Sequence, residues 1–193
     1  MATADVADAP PRHAGRGRLG ELRRAWRAAY AATWIVTLLP AALLAVDPAG
    51  WDGAVRRVLG ARLNPQQNPP PKLEQVLTLL AHNLPLAAWP LLLGVVGVHR
   101  QRLARRVTDV VVAAWIAVNA LPVGPAIGVY GPPLLAYLPQ LPFEWAALAL
   151  GASGWCLQRR APLTVREAVT LLALIAGTLF CAAALETFAV PHR

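Results

Sequence analysis

Five polar side chains sit within or at the edge of stretches that are otherwise apolar: His82, Asn83, Asn119, Glu144 and Glu186. Polar and ionisable groups are costly in such surroundings. They mark either a clasp that locks helices together or a polar cavity that binds something. Two carboxylates can do acid/base work or hold a cation, the asparagines supply amide donors, and a histidine can supply a proton. No nucleophile or metal-ligand set accompanies them. The chain has no phosphate-binding glycine loop, no His-Glu-x-x-His, no nucleophile elbow and no Cys-x-x-Cys. Neither catalysis nor a metal or other cofactor is therefore expected. Cys156 and Cys181 lie inside apolar segments, and are expected as small buried packing residues, not as a disulfide.

The elements that hold these residues follow from composition. The 193 residues are 56% hydrophobic and 15% charged, against about 25% charge in soluble domains. The net charge of +8 would suggest nucleic acid in a soluble protein. Here the basic residues fall between long apolar runs, so the lipid bilayer is the expected partner and nucleic acid is not. Apolar runs of about 18 residues or more indicate transmembrane helices. The expected fold is an all-α membrane bundle of about five spans, near 28–46, 76–98, 107–129, 143–157 and 168–190. Two of them are broken by proline, the second by Pro85 and Pro90 and the third near Pro122 and Pro125.

Residues 1–27 form a basic N-terminal segment, expected to be cytoplasmic, and 28–193 the transmembrane domain. Its first eleven residues are Ala/Asp/Pro-rich and expected to be disordered. The first apolar run ends at Asp47-Pro48 without a clean cleavage site, and is expected as an uncleaved span, not a signal peptide. Trp51–Leu63 has amphipathic helical spacing suited to a membrane surface. Gly124-x-x-x-Gly128 fits a helix contact, a dimer face or, with Pro125 inside it, a bend.

Arginine and lysine set the orientation. With the N-terminus inside, the inner segments hold six, four and three basic residues and the outer segments five, namely Arg56, Arg57, Arg62, Lys72 and Arg193. The chain is thus expected to be N-in and C-out. On that layout Asn83 and Glu186 lie roughly 5–10 Å below the outer edge, Asn119 roughly 15 Å deep and Glu144 at the edge. A short loop joins the fourth and fifth spans, so they pack antiparallel and bring Glu144 and Glu186 to similar depth. The expected site is one outward-facing cluster of Glu144, Glu186 and Asn83, with Asn119 or His82 nearby.

The C-terminal stretch Ala183-Ala184-Leu185-Glu186-Thr187-Phe188-Ala189-Val190-Pro191 resembles the closing Ala-Ala-x-x-Glu-x-Phe-x-x-Pro of the stage II sporulation protein M family. Pro139-Gln140-Leu141-Pro142-Phe143-Glu144 is similar to that family's Pro-His-Gly-x-Phe-Glu, with Gln140-Leu141 in place of His-Gly. His82-Asn83 stands where the family has Asn-Asn, and Asn119-Ala120 where it often has Asn-Gly. The resemblance covers about residues 75–193. It implies a five-span, non-enzymatic protein of the bacterial inner membrane that scaffolds or recruits cell-envelope partners such as peptidoglycan-remodelling proteins. The alternative, from the broken spans and their polar groups, is a transporter or permease component, for which a homo-oligomer would compensate the small size.

Overall fold

The computed structural model describes residues 14–59, 72–95 and 101–189. Expectations for the first eleven residues, for 60–71 and for the C-terminal Pro191-His192-Arg193 lie outside the described residues. Eight helices follow one another: α1 (Ala14–Leu44), α2 (Pro48–Leu59), α3 (Leu73–Val95), α4 (Arg102–Ala120), α5 (Val123–Tyr130), α6 (Pro132–Leu135), α7 (Leu141–Gln158) and α8 (Val165–Phe188). No strand occurs among the described residues. The fold is an all-α, membrane-type bundle.

Among the described residues four stretches are long and apolar enough to cross a membrane: Gly17–Leu44, Leu73–Gly94, Arg102–Tyr130 and Val165–Phe188. The expected five is not met on that measure. The exception is α7, which carries Glu144, Ser153 and Gln158 together with Gly151 and Gly154. It occupies the centre of the bundle instead of its rim. Twelve of its eighteen residues are buried, and its neighbours are α8, α1 and α3. Its small residues let those helices approach closely. A Cβ on Gly151 would collide with the backbone carbonyl of Ala87 on α3, and one on Gly154 with the Leu91 side chain. By contrast α8 buries one stripe, Leu171, Ile175, Leu179 and Ala182, and leaves Leu172, Leu174 and Phe180 exposed on the outside, where a bilayer would meet them.

The breaks differ in kind. Pro122 separates α4 from α5 as its position predicts. Pro85 and Pro90 do not break their span, because α3 runs continuously through both. A proline removes the bond to the carbonyl four residues earlier. Pro90 thereby frees the Leu86 carbonyl, and Trp115 of α4 donates its indole Nε1–H to it at 3.1 Å. The glycine pair on α5 is an internal helix contact: Gly124 and Gly128 rest against the Thr37 and Ala41 carbonyls of α1.

Helix α1 begins at Ala14, so residues 14–27 run on into the first span as one helix. Two further expectations are revised. Helix α2 buries Val55 and packs on α5, so its apolar face is partly used within the protein. Its exposed Arg56 is paired with Asp52 at 2.8 Å, which raises the guanidinium above its ordinary value. Cys156 and Cys181 are both exposed, not buried. In an apolar solvent a small apolar side chain gains nothing by turning inward, so hydropathy does not place it.

Helix α8 begins with a capping box, in which Thr164 and Glu167 satisfy each other's backbone N–H groups. Glu167 therefore belongs to the helix and not to the preceding loop. Gly131, with φ of 64°, makes the left-handed turn into α6 that a side chain would resist.

Candidate functional site

The polar groups expected to cluster do so at one end of the bundle. Glu144 is in the first turn of α7 and Glu186 in the last turn of α8. The two helices run antiparallel, which places both carboxylates at the same end. They are close enough for their charges to interact. Both are half-buried.

A small cavity of about 70 Å³ joins four helices there. Its polar lining is Asn83 of α3, Asn119 of α4, and Glu144 with Trp145 of α7; its apolar lining includes Ala87, Leu148 and Leu179. Asn119 donates its Nδ2–H to the Trp115 carbonyl at 2.8 Å, which turns the side chain back along its own helix and fixes it. Three of the expected residues, Asn83, Asn119 and Glu144, are thus brought together, and Glu186 stands beside them.

His82 is not part of the site. It is exposed, whereas Asn83 is half-buried. Successive residues on a helix point about 100° apart, so the two neighbours cannot share one narrow cavity. Trp145 is the residue the sequence pattern does not single out. It is only 3% exposed, lines the cavity, and its indole Nε1–H has no partner among the described residues. Its place directly after Glu144, on a helix that is buried almost all round, is the signal that accompanies it.

The opposite end of the bundle is held by ion pairs between distant segments. Arg18 of α1 meets Glu167 of α8 at 3.3 Å, Arg160 meets Glu21 of α1 at 3.3 Å, and Arg159 meets Asp109 of α4 at 3.1 Å. Asp109 also accepts the Trp155 indole N–H at 2.9 Å. Arg18 further donates to the carbonyls of Ala161 and Pro162. Nearby, the buried Gln158 donates to the Leu91 carbonyl at 2.9 Å, over the space that Gly94 leaves open. All three basic segments assigned to one side by the arginine count have described residues at this end, away from the polar cavity.

No group of three or more His, Cys, Asp or Glu residues able to hold a metal occurs among the described residues. The chain matches no family model, no curated protein and no solved structure.

Proposed function

We propose that this chain is a non-catalytic membrane scaffold that holds or recruits cell-envelope partners, as its resemblance to the stage II sporulation protein M family implies. The observation that supports this reading best is the size of the polar cavity. Its volume of about 70 Å³ is on the order of two water molecules' share of the liquid. Two amides and one carboxylate that converge on so small a space suit a clasp fixing α3, α4 and α7 against α8, and do not suit passage of a solute. Such a bundle presents its loops and ends in a fixed arrangement to other proteins. The deciding experiment is cross-linking in native membranes followed by purification of the full-length protein. A peptidoglycan-remodelling partner recovered in near-stoichiometric amount is the expected result. Stabilisation by a small solute, with no protein partner recovered, would replace this reading with that of a transporter component.

The second reading keeps one observation in its favour. Two carboxylates lie beside two amides at the end of the bundle where α4 gives way to α5, as transporter sites do at broken helices.

On this reading the scaffold resides in a bacterial inner membrane with its N-terminus inside. Single cysteines test this in a background lacking Cys156 and Cys181. Gln140 and Gln158 are buried and unsuitable as labelling positions, whereas Ala49, Gln101, Ala136 and Ala161 are exposed in loops or at helix ends. An impermeant thiol reagent applied to intact cells is expected to label positions 49 and 136 and to spare 101 and 161. Labelling of 101 and 161 alone would invert the orientation.

A further inference from the structure

A cavity of about 600 Å³ lies at the end opposite the polar cluster, between α1, α4 and the C-terminal end of α7. Four guanidinium groups from these three segments line it: Arg24, Arg105, Arg159 and Arg160. One acid, Glu21, lines it with them. Arg159 and Arg160 are engaged by Asp109 and Glu21. Arg24 and Arg105 have no ion-pair partner among the described residues, and they face the same cleft from different helices. A concave site with two uncompensated guanidiniums, backed by two more, attracts a compact anion with several acceptor oxygens. The planar fork of arginine bonds two oxygens of one phosphate or carboxylate at once, and four guanidiniums against one lining acid suit the group with more oxygens and more charge.

The surroundings favour one source for that phosphate. The floor of the cleft is apolar, with Leu157 and Cys156. On the side of α4 turned away from Arg105, Leu103, Val107 and Val110 form an apolar stripe, 75%, 54% and 68% exposed. In a bilayer these side chains face acyl chains. They set the level at which α4 leaves hydrocarbon, and Arg105, within the same two turns, therefore opens its cleft at headgroup depth. Basic clefts between membrane helices at the headgroup level are suited to anionic phospholipids in this way.

We propose that the cleft between α1, α4 and α7 binds a phosphate ester, the headgroup of an anionic phospholipid, with Arg24 and Arg105 as its principal ligands. Arg159 and Arg160 set the field of the site while remaining paired to Asp109 and Glu21. A lipid seated there links α1 to α4 and α7 at the membrane surface and so contributes to holding the bundle together.

The test is native mass spectrometry of the full-length, delipidated protein titrated with phosphatidylglycerol, with phosphatidylcholine and inorganic phosphate as separate arms. The wild type is expected to retain phosphatidylglycerol in preference to phosphatidylcholine. In Arg24→Gln/Arg105→Gln that retention is expected to weaken about tenfold or more. Arg102→Gln/Arg106→Gln removes the same charge from exposed positions that do not line the cleft, and is expected to leave it within about twofold of the wild type. Equal retention of the two lipids by the wild type would overturn the proposal without requiring any variant to fold. Equal loss in both double variants would also overturn it, by reducing the effect to net charge. Displacement of phosphatidylglycerol by millimolar inorganic phosphate would overturn the lipid as the source and leave a soluble-anion site.

Discussion

Gly151→Ala is expected to destabilise the bundle by about 1–3 kcal/mol, the usual range for overpacking, while Gly177→Ala leaves it unchanged or slightly more stable. The two positions lie in helices of the same bundle and receive the same methyl group. At Gly151 that carbon would run into the backbone carbonyl of Ala87, which cannot rotate away. At Gly177 nothing lies within 4 Å. Relief at Gly151 requires α7 and α3 to separate. That would in turn loosen the Gln158 bond to the Leu91 carbonyl and the contact of Ala87 with the polar cavity. Thermal melting of the detergent-solubilised proteins, followed by size-exclusion chromatography, makes the comparison. Equal melting temperatures for Gly151→Ala and the wild type would show that α3 and α7 do not cross this closely. Gly151→Leu is expected to yield little folded protein.

The second large effect concerns Glu186. In the clasp reading, Glu186→Gln retains shape and hydrogen bonding and is expected to stay within about 1 kcal/mol of the wild type. Glu186→Leu removes both and sets an apolar side chain beside Glu144, and is expected to cost about 1–3 kcal/mol, read as a lower yield of folded protein. If charge at this site is used in function, Glu186→Gln will instead abolish function while its yield stays normal. The geometry has its own check. Cysteines at positions 144 and 186, in a background lacking Cys156 and Cys181, are expected to join through a short cross-linker because α7 and α8 meet antiparallel at this end. A folded protein that resists every short cross-linker would dismantle the shared site.

The spans were legible because hydropathy reports directly on long apolar runs, and the α4–α5 break because Pro122 interrupts one. The expected juxtaposition of Glu144 with Asn83 and Asn119 followed from depth along antiparallel helices, which needs only counting. What depth cannot supply is direction around each helix. It could not separate His82 from Asn83, and it could not tell that both cysteines face outward. The central place of α7 was obscured for the same reason. In a bilayer the outside is as apolar as the inside, so burial is written in small residues, here Ala147, Ala149, Gly151, Ala152, Ser153 and Gly154, and not in hydrophobicity. The ion pairs were beyond reach from sequence. Many arginines and several acids lie near that end, and which pairs form is decided by the rotation of helices far apart in the chain.

That long separation has a consequence for biogenesis. The principal partners of α1 are α5 and α7, not the span that follows it. The bond from the Trp26 indole to the Ala146 carbonyl joins residues 120 positions apart. At synthesis rates of about 5–20 residues per second, α1 leaves the ribosome roughly 6–24 s before the strand of chain that becomes its central neighbour. During that interval it must reside in lipid without its final contacts. Its two fully buried threonines are equipped for the delay: Thr33 and Thr37 donate their hydroxyls to the carbonyls of Ala29 and Thr33 within the same helix, each at 2.9 Å. The hydrogen-bonding needs of these two threonines are therefore met by α1 alone, so neither exposes an unsatisfied donor while the nascent helix waits in hydrocarbon.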